Sequence, residues 1–144
     1  MSKPLDGLPL GAEREQAEAT QLYRLAAEQG VAGAQCRLGV MYAEGRGVAQ
    51  DNTESVRWFR LAAEQGDAEA QAALGLAYAV GRGVAQDLVV SYSWLTIAAA
   101  RLTGATRSGA LKFRGSLVGA MSAEQITSAQ RLAQEHSEGA AGQT

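Results

Sequence analysis

The chain has one cysteine, one histidine and no large excess of charge of one sign among its 144 residues. A single cysteine, Cys36, excludes an internal disulfide, which fits a reducing compartment. With one cysteine and one histidine, neither a multi-ligand metal site nor a Cys–His catalytic dyad is credible, so we expect no metal and no cofactor. Charged residues of both signs are spread along the chain, so there is no basic stripe to bind phosphates, and nucleic acid is not an expected partner.

Long apolar runs are also missing. No stretch approaches the roughly 18 uninterrupted apolar residues of a membrane span, and we expect no membrane insertion. The first 11 residues hold one lysine and no continuous apolar run, which is not the pattern of a signal peptide. We therefore expect a cytoplasmic protein, or a secreted or periplasmic one if a native leader has been removed. The 47% of hydrophobic residues suffices for the core of one domain.

One segment of seven residues occurs twice in the sequence. Residues 24–30 read Arg-Leu-Ala-Ala-Glu-Gln-Gly, and residues 60–66 repeat them letter for letter, 36 positions later. A weaker copy follows at residues 96–100, at the same offset. When residues 17–52 are aligned with residues 53–88, about three fifths of the positions are identical. A fixed period of this length indicates a stack of helical repeats.

Apolar spacing and capping residues predict seven helices. Asp51 with Glu54, and Ser122 with Gln125, have the spacing of a capping box at a helix start. The predicted helices span residues 12–29, 32–44, 52–65, 68–80, 88–102, 106–120 and 122–136. We expect residues 1–11 to be a flexible lead, because they hold Pro4 and Pro9, and residues 138–144 to be a disordered tail.

The apolar positions predict how these helices pack. The stripe of the first helix is Ala17, Leu22, Leu25 and Ala26, and that of the last helix is Ile126, Ala129, Leu132 and Ala133. Trp58 and Trp94 are the expected wedges between layers. Gly39 and Gly75 should let alanines of the neighbouring helices, at 62–63 and 98–99, approach closely. The third copy has drifted, with Leu111 in the glycine position and Arg114 in the tyrosine position.

The repeated motif resembles Sel1-like repeats, relatives of the tetratricopeptide repeats. The matching pattern is Ala-x-Ala-Gln-x-x-Leu-Gly-x-x-Tyr at residues 68–78, Gly-x-Gly-Val-x-x-Asp at 81–87 and Trp-Phe-x-x-Ala-Ala-Glu-Gln-Gly at 58–66. The resemblance implies an all-α fold, a right-handed α-solenoid of antiparallel helix pairs with about seven helices. It places a solenoid at residues 12–137. This comprises a half-repeat at 12–30, repeats at 32–66 and 68–103, and a divergent repeat with a capping helix at 105–137.

The same resemblance implies a non-enzymatic adaptor that binds a peptide or protein segment on the concave side of the solenoid. In the related superhelices the first helix of each repeat lines that side. The implied positions are Cys36, Val40, Ala43 and Glu44 in the first repeat and Glu69, Ala72, Leu76, Ala79 and Val80 in the second. Their apolar members would form a continuous strip if exposed, which is typical of an interaction site.

Catalytic interpretations of the repeated residues are weaker. The Gly-Arg-Gly loops lack the longer Gly-x-x-x-x-Gly-Lys-Ser/Thr run of a phosphate-binding loop and are expected to be structural turns. The repeated carboxylates Glu28 and Glu64, or Asp51 and Asp87, lie one repeat apart, roughly 10 Å or more, too far to share a proton. We therefore predict no enzyme. The alternatives are a homo-oligomer assembled through the solenoid ends and, last, a small hydrolase.

Overall fold

The computed structural model describes residues 10–141, which form seven α-helices. Each helix from α1 to α5 packs against the next one in the chain, and this confirms the predicted all-α solenoid of helix pairs. The helices are α1 (Leu10–Glu28), α2 (Ala32–Glu44), α3 (Asn52–Glu64), α4 (Ala68–Val80), α5 (Leu88–Arg101), α6 (Gly104–Leu117) and α7 (Ala123–Ala141), with a 3₁₀ turn at Val118–Ala120.

Both ends of the described chain are more helical than expected. Helix α1 begins at Leu10, so residues 10–11 do not belong to a flexible lead; the remaining residues of that predicted lead, 1–9, lie outside the described part. The predicted disorder of residues 138–141 is wrong, because α7 continues to Ala141. Gln134 Nε2 donates to Glu138 Oε1 at 3.2 Å, a contact between successive turns that supports the extension. Residues 142–144 are also outside the described part.

The predicted caps form, with one difference. At α7 the capping box is complete: the Gln125 amide donates to Ser122 Oγ at 3.1 Å, and the Ser122 amide donates to Gln125 Oε1 at 2.8 Å. At α3 it is one-sided: Asp51 Oδ1 accepts from the Glu54 amide at 3.1 Å, but the Asp51 amide donates to the Tyr42 carbonyl oxygen. The loop end is therefore fixed to the preceding helix α2, and the Glu54 side chain is left to pair with Arg57.

The two helix-centre glycines face large side chains and not the alanines that we expected. A Cβ atom on Gly39 would lie 2.7 Å from the ring of Phe59, and one on Gly75 would lie 2.8 Å from Leu95 Cγ. Ser55 Oγ donates to the Gly39 carbonyl oxygen at 2.7 Å. The missing side chain thus makes room for one bulky residue and one buried hydrogen bond in each repeat.

A second polar contact, between an arginine and a hydroxyl group, recurs in each repeat, and in the third copy the arginine and the hydroxyl exchange helices. Arg60 Nη2 donates to the Tyr78 hydroxyl at 2.7 Å, and the contact between Arg24 and Tyr42 is the same, at 3.0 Å. In the third copy Arg114 Nη1 donates to Thr96 Oγ1 at 3.1 Å, so the arginine now lies on the other helix. The substitution of tyrosine by Arg114 therefore keeps the bridge.

The last helix does not pair with α6 as a regular repeat would. Helix α7 makes its main helix contact with α5, where the rings of His136 and Trp94 form a T-shaped pair at a centroid distance of 4.9 Å. In α6, Leu111 stands at the repeat position where the earlier helices have Gly39 and Gly75. The predicted stripe of α7 is wrong at Leu132, which is exposed, and right at Ala129 and Ala133, which are buried.

Candidate functional site

A cavity of about 400 Å³ lies between the amino-terminal halves of α2 and α4. We call it the α2–α4 groove. Its lining is Gly33, Cys36, Arg37 and Val40 from α2, Asp67, Ala68 and Glu69 at the start of α4, and Leu102 just after α5. The volume lies within the range of roughly 300–1,000 Å³ that is usual for ligand pockets.

Three of the nine residues implied as a binding surface meet in this groove: Cys36, Val40 and Glu69. The other six do not line it. Of these, Ala43 and Ala72 are half-buried, Glu44, Leu76 and Val80 are exposed, and Ala79 is buried. The chain thus keeps part of the implied surface around one cavity and the apolar pair Leu76 and Val80 further along α4.

The implied apolar strip is not continuously exposed, because only 6% of Cys36 is exposed. Cys36 belongs to the same buried cluster as Ala70 and Leu74 of α4, so its thiol is a wall of the groove and not part of an open surface. Ala79 is equally buried, in the cluster that holds Tyr92 and Leu95 of α5. Close stacking of neighbouring helices hides both residues.

The groove carries charge of both signs at one end. Asp67 caps α4, because its Oδ1 atom accepts a hydrogen bond from the Ala70 amide at 2.9 Å. Glu69 and Arg37 are exposed beside it. Sequence reasoning missed Asp67, although an aspartate directly before a helix is a known capping signal. It also missed Leu102, which no sequence signal identifies, since packing alone brings the end of α5 to α4.

The Cys36 thiol is not an activated nucleophile. Burial raises its pKa to about 12, and the nearby carboxylates of Asp67 and Glu69 act in the same direction, against a smaller lowering by Arg37. Since only a thiolate attacks an electrophile readily, Cys36 is inert at neutral pH. It acts as a small apolar side chain in the wall of the groove.

A second cavity, of about 200 Å³, lies between α1 and α2. We call it the α1–α2 groove. It is lined by Gln16, Ala19 and Tyr23 of α1, by Arg37, Val40, Met41 and Glu44 of α2, and by Arg46. Arg46 Nη1 lies 3.2 Å from Glu44 Oε1 in an exposed ion pair. Arg37 and Val40 line both cavities, so the two grooves adjoin.

The exposed face of α1 corrects the predicted core stripe. Leu22 and Leu25 were expected in the core, yet 68% and 57% of these residues are exposed. A helix of the described chain covers the corresponding residues of the next repeat, since Trp58 packs with Leu38 and Met41 of α2. Residues 10–141 provide no such helix for Leu22.

The glycines of the two Gly-Arg-Gly loops are explained by backbone conformation and close packing, as expected for structural turns. Gly47 and Gly83 have φ angles of 77° and 79°, which favour glycine. A Cβ atom on Gly47 would collide with Thr20 Oγ1, and one on Gly83 with the Asn52 carbonyl oxygen. The backbone of the first loop therefore packs directly on α1, and that of the second loop packs on α3.

Two further results concern residues 10–141 as a set. They contain no group of three or more His, Cys, Asp or Glu side chains placed to hold a metal ion. None of the helices in this part of the chain combines the length and the apolar character needed to cross a membrane.

Comparison with known proteins identifies relatives of the repeat. The Sel1 repeat model matches residues 5–31, 32–67 and 68–101. A crystal structure of c5321, a protective antigen of uropathogenic Escherichia coli strains that displays an SLR fold, is similar, with a TM-score of 0.81 and 32% identity over 88% of this chain. A Sel1 repeat protein from Oxalobacter formigenes has a TM-score of 0.64 and 36% identity over 70%. The chain covers 26% and 40% of these two proteins. No curated protein matches.

Proposed function

Because the chain belongs to the Sel1 repeat family, we propose that it is a non-enzymatic adaptor that holds a peptide or protein segment in the α2–α4 groove. The Sel1 fold is commonly a protein-interaction scaffold. The observation that carries the proposal is the 400 Å³ cavity around which Cys36, Val40 and Glu69 converge. Leu76 and Val80 extend the apolar surface along α4, with 42% and 57% of these residues exposed.

The charges at the groove suggest the chemistry of the segment. Asp67 and Glu69 together outweigh Arg37, so one basic side chain in the partner would find complementary charge at the start of α4. Apolar side chains of the same segment would cover Val40 and then Leu76. The inert Cys36 thiol supports binding without catalysis, since burial keeps its pKa at about 12.

Selection from a random peptide library tests this proposal. The wild-type chain should enrich peptides that place a lysine or arginine beside apolar residues. A Glu69→Arg/Leu76→Arg double variant should lose them, since both side chains are exposed on the groove side of α4 and their replacement leaves the core intact. Leu61→Arg, on α3, replaces another exposed leucine and is the matched control. Identical peptides from the double variant, or none from the wild type, would overturn the proposal.

Self-assembly through the front end is the second candidate function. The exposed pair Leu22 and Leu25 on α1 favours it, because a sizeable apolar face on a folded protein usually marks a contact site. The measurement is molar mass in solution as a function of concentration. A dimer that resists dilution, and that is lost in a chain without residues 1–30, would support assembly.

A further inference from the structure

We propose that the α1–α2 groove is a second binding site, and that it takes an amphipathic helix from a different protein, built like the first helix of this chain's own repeats. This site goes beyond the α2–α4 groove and does not depend on it. Its occupant is a short helix with a glycine that faces Tyr23, apolar side chains that cover Leu22, and an acidic side chain near Arg37.

The same surface is filled by a helix one repeat later. Ser55 and Phe59 stand 36 positions after Ala19 and Tyr23. Helix α2 lies on both of them, since Gly39 accepts the Ser55 hydrogen bond at 2.7 Å and leaves space for the Phe59 ring.

Helix α4 repeats this arrangement. Ser91 Oγ donates to the Gly75 carbonyl oxygen at 2.6 Å, and Leu95 fills the space beside that glycine. The α1–α2 groove therefore has the geometry of a repeat-helix seat, and residues 10–141 contain no helix that occupies it.

The exposed fraction of one repeat position differs between α1 and the later helices of the same kind. Leu22, Trp58 and Trp94 are successive copies of that position, and 68%, 5% and 9% of these residues are exposed. Tyr23, next to Leu22, lines the groove itself and is 38% exposed. A helix on this face would bury both side chains, as α2 buries Trp58 and Phe59.

Charge and continuity favour a helix of the chain's own type. Arg37 lines the groove and forms no ion pair with any residue in the range 10–141, whereas Arg46 is already paired with Glu44. An acidic side chain on the incoming helix would complement Arg37. Helix α4 offers both features, with Glu69 in its first turn and Gly75 at its centre. The bound helix would also continue the stack that α2 and α4 already form.

The first test uses a fluorescent synthetic peptide with the sequence of residues 67–81 and the full chain. We expect saturable binding, and binding at least about tenfold weaker for the peptide that carries Gly75→Leu, because a side chain there would collide with the Tyr23 ring. The protein variant Leu22→Arg should weaken binding by a similar factor. Leu132→Arg, an exposed leucine at the far end of the stack, should leave it unchanged.

A second measurement covers the event that the free peptide is not helical enough to bind. Residues 67–87 are joined directly to residue 16, which reproduces the spacing between a repeat helix and its successor. We expect the melting temperature of this fused chain to rise relative to the original chain, and the rise to disappear when the added helix carries Gly75→Leu. The labelled peptide should no longer bind to the fused chain.

Three results would overturn the proposal. Neither peptide binding nor a rise in melting temperature would mean that the groove is not a helix seat. Peptide binding only by a chain that lacks residues 1–9 would assign the seat to the chain's own first residues. A self-associated chain whose dimer is broken by Leu22→Arg would assign the seat to a second copy. Since Leu22 lies outside the α2–α4 groove, none of these results bears on the proposed adaptor function.

Discussion

The two ends of the stack treat the same repeat positions in opposite ways. At the rear, Trp94 and Ile97 of α5 are buried between two helices, α4 on one side and α7, with Ala133 and His136, on the other. At the front, the corresponding residues of α1 are Leu22 and Leu25, and both are exposed. The comparison teaches that a solenoid end can be closed by one reoriented helix, without a complete repeat. It also shows that the front keeps an exposed apolar face on α1.

The largest expected difference between the ends comes from truncating the equivalent residues. Trp94→Ala should lower the free energy of unfolding by about 3–5 kcal/mol, because it empties a packed position. Leu22→Ala should change it by less than about 0.5 kcal/mol, because the side chain is exposed. Urea denaturation of both variants measures this. A large loss for Leu22→Ala would mean that the front is covered in solution.

A smaller effect on stability is expected from replacing glycine by alanine, and it should differ between Gly75 in the interior and Gly109 near the rear. Gly75→Ala should destabilise the protein by about 1–3 kcal/mol, partly offset by helix propensity, because the new Cβ atom would lie 2.8 Å from Leu95 Cγ and 3.2 Å from the Ser91 carbonyl oxygen. Gly109→Ala in α6 meets no atom within 4 Å and should stabilise by about 0.5–1 kcal/mol. Thermal unfolding compares the two. Stabilisation by Gly75→Ala would refute the close approach.

The serine hydroxyl of the repeat gives a third test. Ser91→Ala removes the buried hydrogen bond to Gly75 and should lower the free energy of unfolding by about 1 kcal/mol or more, since a buried carbonyl loses a donor. At the front the corresponding residue is Ala19. Ala19→Ser should leave stability unchanged but tighten binding of the 67–81 peptide by about two- to tenfold. Unchanged affinity would argue against a repeat-like fit of that helix.

The smallest expected effect concerns the reversed bridge in the third copy. Thr96→Arg and Arg114→Tyr each break the contact, whereas the double variant rebuilds the arrangement of Arg60 and Tyr78. A double-mutant cycle on unfolding free energies should give a favourable coupling of about 0.5–1 kcal/mol. Strict additivity of the two single changes would show that the bridge contributes nothing. Stacking of Arg114 over Tyr92, at 5.0 Å, is lost in both arms that replace Arg114, so it cancels in the coupling.

Local sequence signals were reliable where the physics is local. The bounds of α2 and α4 agree with the prediction to the residue, because capping residues and glycines with positive φ, such as Gly45 and Gly81, act within one turn. The predicted partners of Gly39 and Gly75 were wrong, because which side chain enters a gap depends on how two helices are rotated against each other. Burial of Cys36 and exposure of Leu132 were missed for the same reason.

The candidate site was predictable only in part. The repeat motif identifies α2 and α4 as equivalent helices, so Val40 and Glu69 could be assigned to the same surface. It does not say which neighbouring side chains complete the cavity: packing alone brings in Arg37 and Leu102, whereas the capping position before α4 could have indicated Asp67. The α1–α2 groove was not anticipated, because an apolar stripe such as Leu22 and Leu25 has the same pattern whether or not a helix covers it.

The sequence by itself determined the period of 36 residues, the helices, their caps and the membership in a repeat family, because all of these depend on residues close in the chain or on their regular recurrence. Only the tertiary structure decided how the stack ends. Helix α7 lies on α5 and not on α6, and α1 keeps an apolar face because no described helix covers it. Those outcomes depend on which helices are neighbours in space, and helix-to-helix packing decides that.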